Sequence, residues 1–428
     1  MKVLVIGGGG REHALGWKLR QSPEIDKLCF APGNAGTARL GDNIDLPADN
    51  VDGLVAFARR EKIGFTVVGP EAPLVKGIVD RFDTEKLPVF GPVAAAAELE
   101  GSKVWCKNLL RKHGIPTAPF RVFTDAKSAV HFLKDAAYPL VVKADGLAAG
   151  KGAVVCPSAG EAIAAVEGMM EQKIFGKAGE RVVVEEFLSG VEASILALTD
   201  GKTILPLETA QDHKRALDGD RGPNTGGMGA YSPADVVSPA DLDAIIRDIL
   251  VPTVHAMTRE KRRYRGLLYA GIMLTKSGPR LIEYNVRFGD PECQPLMMRL
   301  KSDLLPLLRA TAEGKLDEVK VEWDPRPSLC VVMASGGYPG PYETGAEIAG
   351  LAAAEEDADV AVFHAGTVLR GEKVVTSGGR VLGVTARGGT VQEAYRRGYA
   401  AVRKVSFANC HYRTDIGGQA LGLTSAKR

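Results

Sequence analysis

The sequence predicts a multidomain α/β and α+β protein: a parallel-sheet α/β unit first, a central unit of paired strands around a glycine hairpin, and a smaller α+β unit last. Three observations predict it. Short β-branched runs alternate with helical stretches through the first hundred residues, the pattern of βαβ units. The glycines of 146–152 join two strands, and a new strand-rich pattern starts past Trp323-Asp324-Pro325-Arg326-Pro327. The boundaries fall at 1–100, 101–324 and 325–428.

In the first unit, strand Val3 to Ile6 leads to a helix over Glu12 to Gln21. Strand Lys27 to Phe30, a helix over Val51 to Glu61 and strand Thr66 to Val68 follow, and Leu87 to Pro92 with an alanine-rich helix to Glu100 closes it. A helix to His113, an extended Pro116 to Pro119 crossing and a further helix lead to strand Pro139 to Lys143, which turns back through the glycines into Ala153 to Cys156. Arg181 to Leu188 and Ala193 to Leu198 read as another strand pair, followed by a glycine-rich loop. A helix over Asp241 to Glu260, strands Gly266 to Leu274 and Arg280 to Asn285, and one helix from Pro295 to Leu308 complete the centre. The last unit has strands at 328–333, 360–364, 373–376 and 380–386 and a helix over Val391 to Val405, while Thr424 to Arg428 should fray.

Composition narrows the function. Of 428 residues 45% are hydrophobic and 25% charged, as in a globular protein, and 54 Lys plus Arg against 52 Asp plus Glu leave no basic stripe for nucleic acid. No segment is apolar for long enough to span a bilayer, and the first ten residues do not resemble an export signal. The six cysteines are scattered without CxxC spacing, so they read as reduced cytoplasmic thiols rather than zinc or disulfide sites.

Four motifs carry chemistry. Gly7-Gly8-Gly9-Gly10-Arg11-Glu12-His13 links a strand to a helix, where free N–H groups favour a phosphate; Glu12 breaks the dinucleotide fingerprint and no acidic residue ends the second strand, so NAD is not expected. On this segment alone a tight turn that needs glycine accounts for the residues equally well. Asp145 to Gly152 is not a P-loop, because only three residues separate Gly146 from Gly150 and glycine follows Lys151. Glycines alone suit a flexible, solvent-facing hairpin, but Lys143 and Lys151 on either side favour phosphate contacts. Glu185-Glu186-Phe187-Leu188 ends an apolar strand where adenine could lie, with Glu192 near ribose hydroxyls, although acidic strand ends are usually just solvated.

Glu283 and Asn285 form the sharpest pair: two apart on a strand, they share a face and offer hard oxygens to magnesium, with Arg287 next on that face. A polar edge strand explains any one of these residues, but less readily all three beside Gly289-Asp290-Pro291-Glu292. Between the second and third strand groups, Gln211 to Arg215 and Pro223 to Gly229 lie in one long polar, glycine-rich stretch, and such loops are functional or disordered. His213 has no partner spacing for a triad or a zinc site.

Together Gly9 to Leu15, Lys143 to Gly152, Gln211 to Arg215, Gly222 to Tyr231 and Arg287 to Glu292 resemble the ATP-grasp superfamily and, within it, the phosphoribosylamine–glycine ligase family. The resemblance covers nearly the whole chain, including Gly379 to Val384 and Arg413 to Gly417. It implies an ATP-grasp centre with a mobile lid over about 120–190, ATP, and Mg2+ or Mn2+ on Glu283 and Asn285. It places Lys103, Lys143, Gly146, Gly150, Lys151 and Gly152 with the nucleotide phosphates, Glu185, Glu186, Phe187, Leu188 and Glu192 with the adenosine, and Lys214 with the nucleotide. Gly9, Gly10, Arg11, Glu12, Asn34 and Glu71 would meet 5-phosphoribosylamine, and Asn224, Thr225, Gly226 and Gly227 glycine. Arg287, Lys143 and Asp212 would act in catalysis, Asp212 and Arg287 also facing the substrates, while Glu292 is not a metal ligand. The partners implied are small molecules, with neither nucleic acid nor membrane, and a monomer or weak homo-oligomer. Another ATP-grasp ligase or carboxylase of purine metabolism is the alternative. One departure, Val286 where relatives often carry cysteine, faces away from the metal side.

Overall fold

The computed structural model describes residues 1–148, 150–418 and 420–422. The expected fraying of 424–428 lies outside the described residues, as does Ala149 of the glycine hairpin.

The first hundred residues form a five-stranded parallel sheet in the order Asp42–Asn43, Lys27–Pro32, Lys2–Gly7, Phe65–Val68, Val89–Phe90. Strand alternation divides its side chains between two cores, Leu4 and Ile6 entering one, Val3 and Val5 the other. Both faces are covered, which is why these strands read as unbroken apolar runs.

Two four-stranded antiparallel sheets follow. The first has the order Phe120–Phe123, Val182–Glu186, Leu140–Ala144, Ala153–Cys156 and packs on helices Ala126–Lys134 and Ala159–Met170. The second has the order Ile204–Pro206, Val191–Thr199, Gly266–Thr275, Gly278–Asn285. The expected pairing of 181–188 with 193–198 is therefore wrong: these strands lie in different sheets. Both runs are apolar, and composition does not say which partner each takes. The crossing between them is tight, since a Cβ on Gly190 would stand 2.2 Å from the Leu274 carbonyl oxygen.

The stretch read as a glycine-rich loop also contains strands. Gln211–Asp212 pairs with Gly229–Ser232, which pairs with Ser328–Ala334, so both extend the C-terminal sheet of strands 328–334, 380–387 and 360–364. Gly229, Ala230 and Ser232 are small residues with weak strand preference, and burial rather than propensity places them. Arg215–Leu217 and Arg221–Asn224 form a hairpin. The single helix expected over 295–308 is two, Cys293–Arg299 and Leu304–Glu313, because Asp303 caps the second by accepting the Leu305 N–H at 3.0 Å. The helix expected over 241–260 runs from Pro239 to Arg259 with a widened turn at Ile246–Leu250, just before Pro252, which has no N–H to give. Helix Val391–Val402 backs the C-terminal sheet. All six cysteines are free, five of them buried, and among the described residues no helix is long and apolar enough to cross a membrane.

The first and last sheets meet at a buried histidine pair. The His364 amide donates to His13 Nδ1 at 2.8 Å, the rings lie 5.5 Å apart, and the Asn34 amide donates to the His364 carbonyl at 2.7 Å. Burial, with Arg39 nearby, lowers the His364 imidazole from 6.5 to about 4. The folded form thus binds fewer protons than the unfolded one, so stability present above pH 6.5 is lost as pH falls towards about 4. His364→Gln should lose less stability than the parent between these limits; parallel denaturation midpoints across that window would contradict the assignment.

Candidate active site

Strand Leu140–Ala144 divides its side chains cleanly. Leu140, Val142 and Ala144 enter the core beneath the two helices, which turns Val141 and Lys143 to the opposite face. On the adjacent antiparallel strand Val183 stands opposite Lys143 and Glu185 opposite Val141, making Lys143 and Glu185 diagonal neighbours. Lys143 Nζ lies 3.0 Å from Glu185 Oε2 and donates to the Ile282 carbonyl of the other sheet at 3.2 Å. Lys143 is 4% exposed, so the expectation of a solvent-facing lysine is corrected: the strand face on which it lies is covered by strand 278–285. Lys103 reaches the start of the same hairpin, donating to the Gly146 carbonyl at 3.2 Å. Lys151 instead donates across to the Pro339 carbonyl at 3.0 Å.

Strand Gly278–Asn285 carries a bulge. Glu283 pairs with Gly271 and Leu281 with Ile272, leaving Ile282 extra, so Leu281 and Tyr284 both enter the core. Glu283 and Asn285 consequently share the partly open face. Burial would raise the Glu283 carboxyl, but Lys214, Lys143, Lys103 and Arg287 outweigh it and hold the group below its ordinary value. An ionised carboxylate beside a neutral amide oxygen suits a hard divalent ion that takes its remaining ligands from phosphate and water. Among the described residues no group of three or more His, Cys, Asp or Glu could hold a metal by itself.

Arg287 extends that face. It donates to Glu71 Oε2 at 3.1 Å, Glu100 Oε1 at 3.0 Å, Asn285 Oδ1 at 3.0 Å and the Phe288 carbonyl at 3.3 Å. Val286 is buried, its amide on Glu100 Oε2 at 2.8 Å, and so faces away from Glu283 and Asn285. Lys214 pairs with Glu192 at 2.8 Å. Beside it Asp212 keeps some surface open but is enclosed by protein at longer range; burial, opposed by Lys214 and reinforced by Glu292, Glu192 and Glu283, pushes its carboxyl up to about 8. Glu292 is buried and accepts from Tyr269 at 2.9 Å and Ser194 at 3.1 Å, a fixed acceptor rather than a free ligand. Glu186 and Phe187 are exposed where strand 182–186 ends, and Glu185 Oε1 is buried without a hydrogen-bond partner among the described residues. The segment thus offers open backbone and an unused acceptor to a ligand.

A cleft of about 430 Å3 lies between the N- and C-terminal sheets, lined by Gly8, Gly9, Asn34, Asp290, Thr367 and Arg380 among others. Gly9 and Asn34 thus stand on it. Arg11 and Glu12 lie behind, buried: Arg11 donates to Glu12 at 2.6 Å and to the Phe288 carbonyl at 3.1 Å, and Glu12 takes the Gly9 N–H at 2.7 Å. Gly10 packs against Gln294, where a Cβ would come within 2.6 Å, and Glu71 belongs to Arg287. Asn224 ends a hairpin strand. The Thr225 hydroxyl donates to the Lys214 carbonyl at 2.8 Å, and Arg380 fastens the Gly226 carbonyl and the Asp290 carbonyl at 2.7 Å each. Gly227 has φ +112 and a Cβ there would meet Pro291 at 2.4 Å, so only glycine fits. The sequence reading missed Glu100, Lys107, Tyr269 and the site role of Arg380. Lys107 alone gave a signal, being one helical turn from Lys103.

The chain matches three family profiles: the phosphoribosylglycinamide synthetase N domain over 1–100, its ATP-grasp (A) domain over 101–293 and its C domain over 328–419. Phosphoribosylamine–glycine ligase of Rhodopirellula baltica is 52% identical over 427 residues, covering 98% of both chains. That of Escherichia coli O6:H1 is 54% identical over 425 residues, covering 98% of this chain and 99% of its own. The chain belongs to the phosphoribosylamine–glycine ligase family. The crystal structure of the Thermotoga maritima phosphoribosylamine–glycine ligase superposes with a TM-score of 0.83 at 36% identity, covering 97% of this chain and all of its own. A Campylobacter jejuni biotin carboxylase at 13% identity and a TM-score of 0.73, covering 96% of this chain and 92% of its own, shares the fold alone. Membership of an ATP-grasp ligase family brings ATP and a divalent metal ion with it. Glu283→Gln keeps the size and one oxygen but removes the charge, so half-maximal turnover should require about thirtyfold more metal, roughly 2 kcal/mol of lost charged interaction. A metal titration that superposes on that of the parent would remove Glu283 from the metal site.

Proposed function

We propose that the protein joins glycine to 5-phosphoribosylamine at the expense of ATP, through glycyl phosphate, giving glycinamide ribonucleotide, ADP and phosphate in de novo purine synthesis. One observation carries the reading: Lys143, on the hairpin strand, is hydrogen-bonded to Ile282, so the phosphate-directed cation faces the strand that bears Glu283 and Asn285 and leads into Arg287. A triphosphate would enter between them. The sheet of 120–186 acts as the lid of a nucleotide-binding domain over 101–324, between domains of 1–100 and 325–428.

Lys103, Lys143 and the backbone of 146–152 hold the phosphates. Glu185, with its unpaired oxygen, and the open end at Glu186 to Leu188 take the adenosine with Glu192, while Lys214 stays paired with Glu192 at its edge. Glu283 and Asn285 fit magnesium or manganese, which when bound supplies charge neutralisation between phosphates. The glycine carboxylate attacks the γ-phosphorus and ADP leaves, Arg287 and Lys143 offsetting the charge in flight; positioning and electrostatics dominate such transfers. The amine of phosphoribosylamine, seated in the cleft at Gly9 and Asn34, then attacks the glycyl carbonyl. The C–O bond to phosphate breaks and the departing phosphate carries the amine's proton. Asp212 and the Asn224 to Gly227 loop hold glycine. The enzyme would work in the cytoplasm as a monomer or weak homo-oligomer, without nucleic acid or membrane.

ADP release should need glycine, phosphoribosylamine and metal together, and release that is stimulated instead by bicarbonate or formate would move the chain to another ATP-grasp chemistry. If ionised Asp212 holds the glycine ammonium, apparent glycine affinity should improve as pH rises through about 8, since the neutral form prevails below that value. Asp212→Asn should abolish the inflection, whereas an unchanged profile in the variant would remove Asp212 from the glycine site.

A further inference from the structure

Lys107 is a buried ammonium that the reaction as described above does not use. It stands on helix Lys103–His113, one turn from Lys103, and is 3% exposed. Its Nζ lies 3.0 Å from Glu185 Oε2, the same oxygen that Lys143 approaches at 3.0 Å, and donates to the Thr117 hydroxyl at 2.7 Å. Thr117 in turn donates to the Leu281 carbonyl at 2.7 Å, and the ring of Phe120 lies 5.9 Å from the ammonium. Two cations therefore share one carboxylate oxygen in a buried place, leaving one positive charge in excess. A fold that needed only to neutralise Glu185 would use one.

The two lysines differ in what else holds them. Lys107 is fixed by Thr117 and covered by Phe120, whereas among the described residues Lys143 has one carbonyl contact, at 3.2 Å, besides Glu185. A cation that turns towards a phosphate must leave its carboxylate, and a buried carboxylate without a partner is costly. We propose that Lys107 is a positioning residue: it keeps Glu185 neutralised so that Lys143 can exchange that carboxylate for the nucleotide phosphates. The inference rests on the nucleotide reading of Lys143 given above. Burial also lowers the Lys107 ammonium pKa, opposed by Glu185, consistent with a cation whose charge is maintained by that one carboxylate.

In nucleotide-free Lys107→Met, Lys143 still neutralises Glu185, so the melting temperature should stay close to that of the parent. ATP binding, measured by equilibrium dialysis with metal and without glycine, should weaken about tenfold, corresponding to roughly 1.4 kcal/mol, and the ATP-induced rise in melting temperature should shrink with it. In a Glu185→Gln background no carboxylate charge is left to neutralise, and adding Lys107→Met should weaken ATP binding no further. An equal loss in both backgrounds would make Lys107 a packing residue and overturn the proposal, as would undiminished ATP binding by the single variant. Failure of the parent protein to bind ATP at all would overturn the nucleotide reading together with this inference.

Discussion

The guanidinium of Arg287 meets two carboxylates and an amide from separate parts of the chain: Glu71 from the helix after the fourth strand, Glu100 from the end of the alanine-rich helix, and Asn285 from its own strand. The remaining oxygen of Glu100 takes the Val286 amide. Removing one partner from this partly buried set leaves a charge unpaired, at a cost below the roughly 3–5 kcal/mol of a fully buried pair, and the intact set adds little net stability over an apolar replacement. What it gives is register. The N-terminal domain and the end of strand 278–285 are held at one spacing by a planar fork that accepts few geometries.

The charges around that fork follow a common rule. Glu71 is drawn below its ordinary value by Arg287 and Arg11 against the effect of burial, and Glu283 likewise by several cations, whereas Asp212, raised first by burial and then by three nearby carboxylates against Lys214, rises to about 8. Carboxylates of one region thus differ in charge state, Glu283 held as an anion and Asp212 changing protonation near neutrality. The two ammonium groups at Glu185 are the counterpart, an excess of positive charge in a buried place.

Much of this was legible beforehand. Helix Val51–Glu61 and the three longer strands of the first sheet were legible as a helical stretch and apolar runs, the short strand Asp42–Asn43 was not, and the pair Glu283 and Asn285 follows from the two-residue repeat of a strand. The motif from Arg287 to Glu292 and the opening glycines pointed to the family that the profiles later identified. Legibility failed where an element's partner is distant in sequence. Strands 182–186 and 191–199 looked like a pair because they are adjacent and apolar, yet each pairs with a strand distant in sequence, as Phe120 opposite Glu185 and Val191 opposite Leu274 illustrate. The short strands of 211–232 were hidden by glycine and small residues.

The sequence by itself determined which residues could carry the chemistry, because strand and helix periods and glycine requirements are local properties of the backbone. Tertiary structure decided what those residues do to one another. The bulge at Ile282 that turns Leu281 and Tyr284 inward together, the burial of Lys143 against strand 278–285, and the second ammonium at Glu185 all arise from the packing of one sheet on another. The strength and direction of electrostatic effects depend on distance and on exclusion of water, and both are set only when segments far apart in the chain close over the same few side chains.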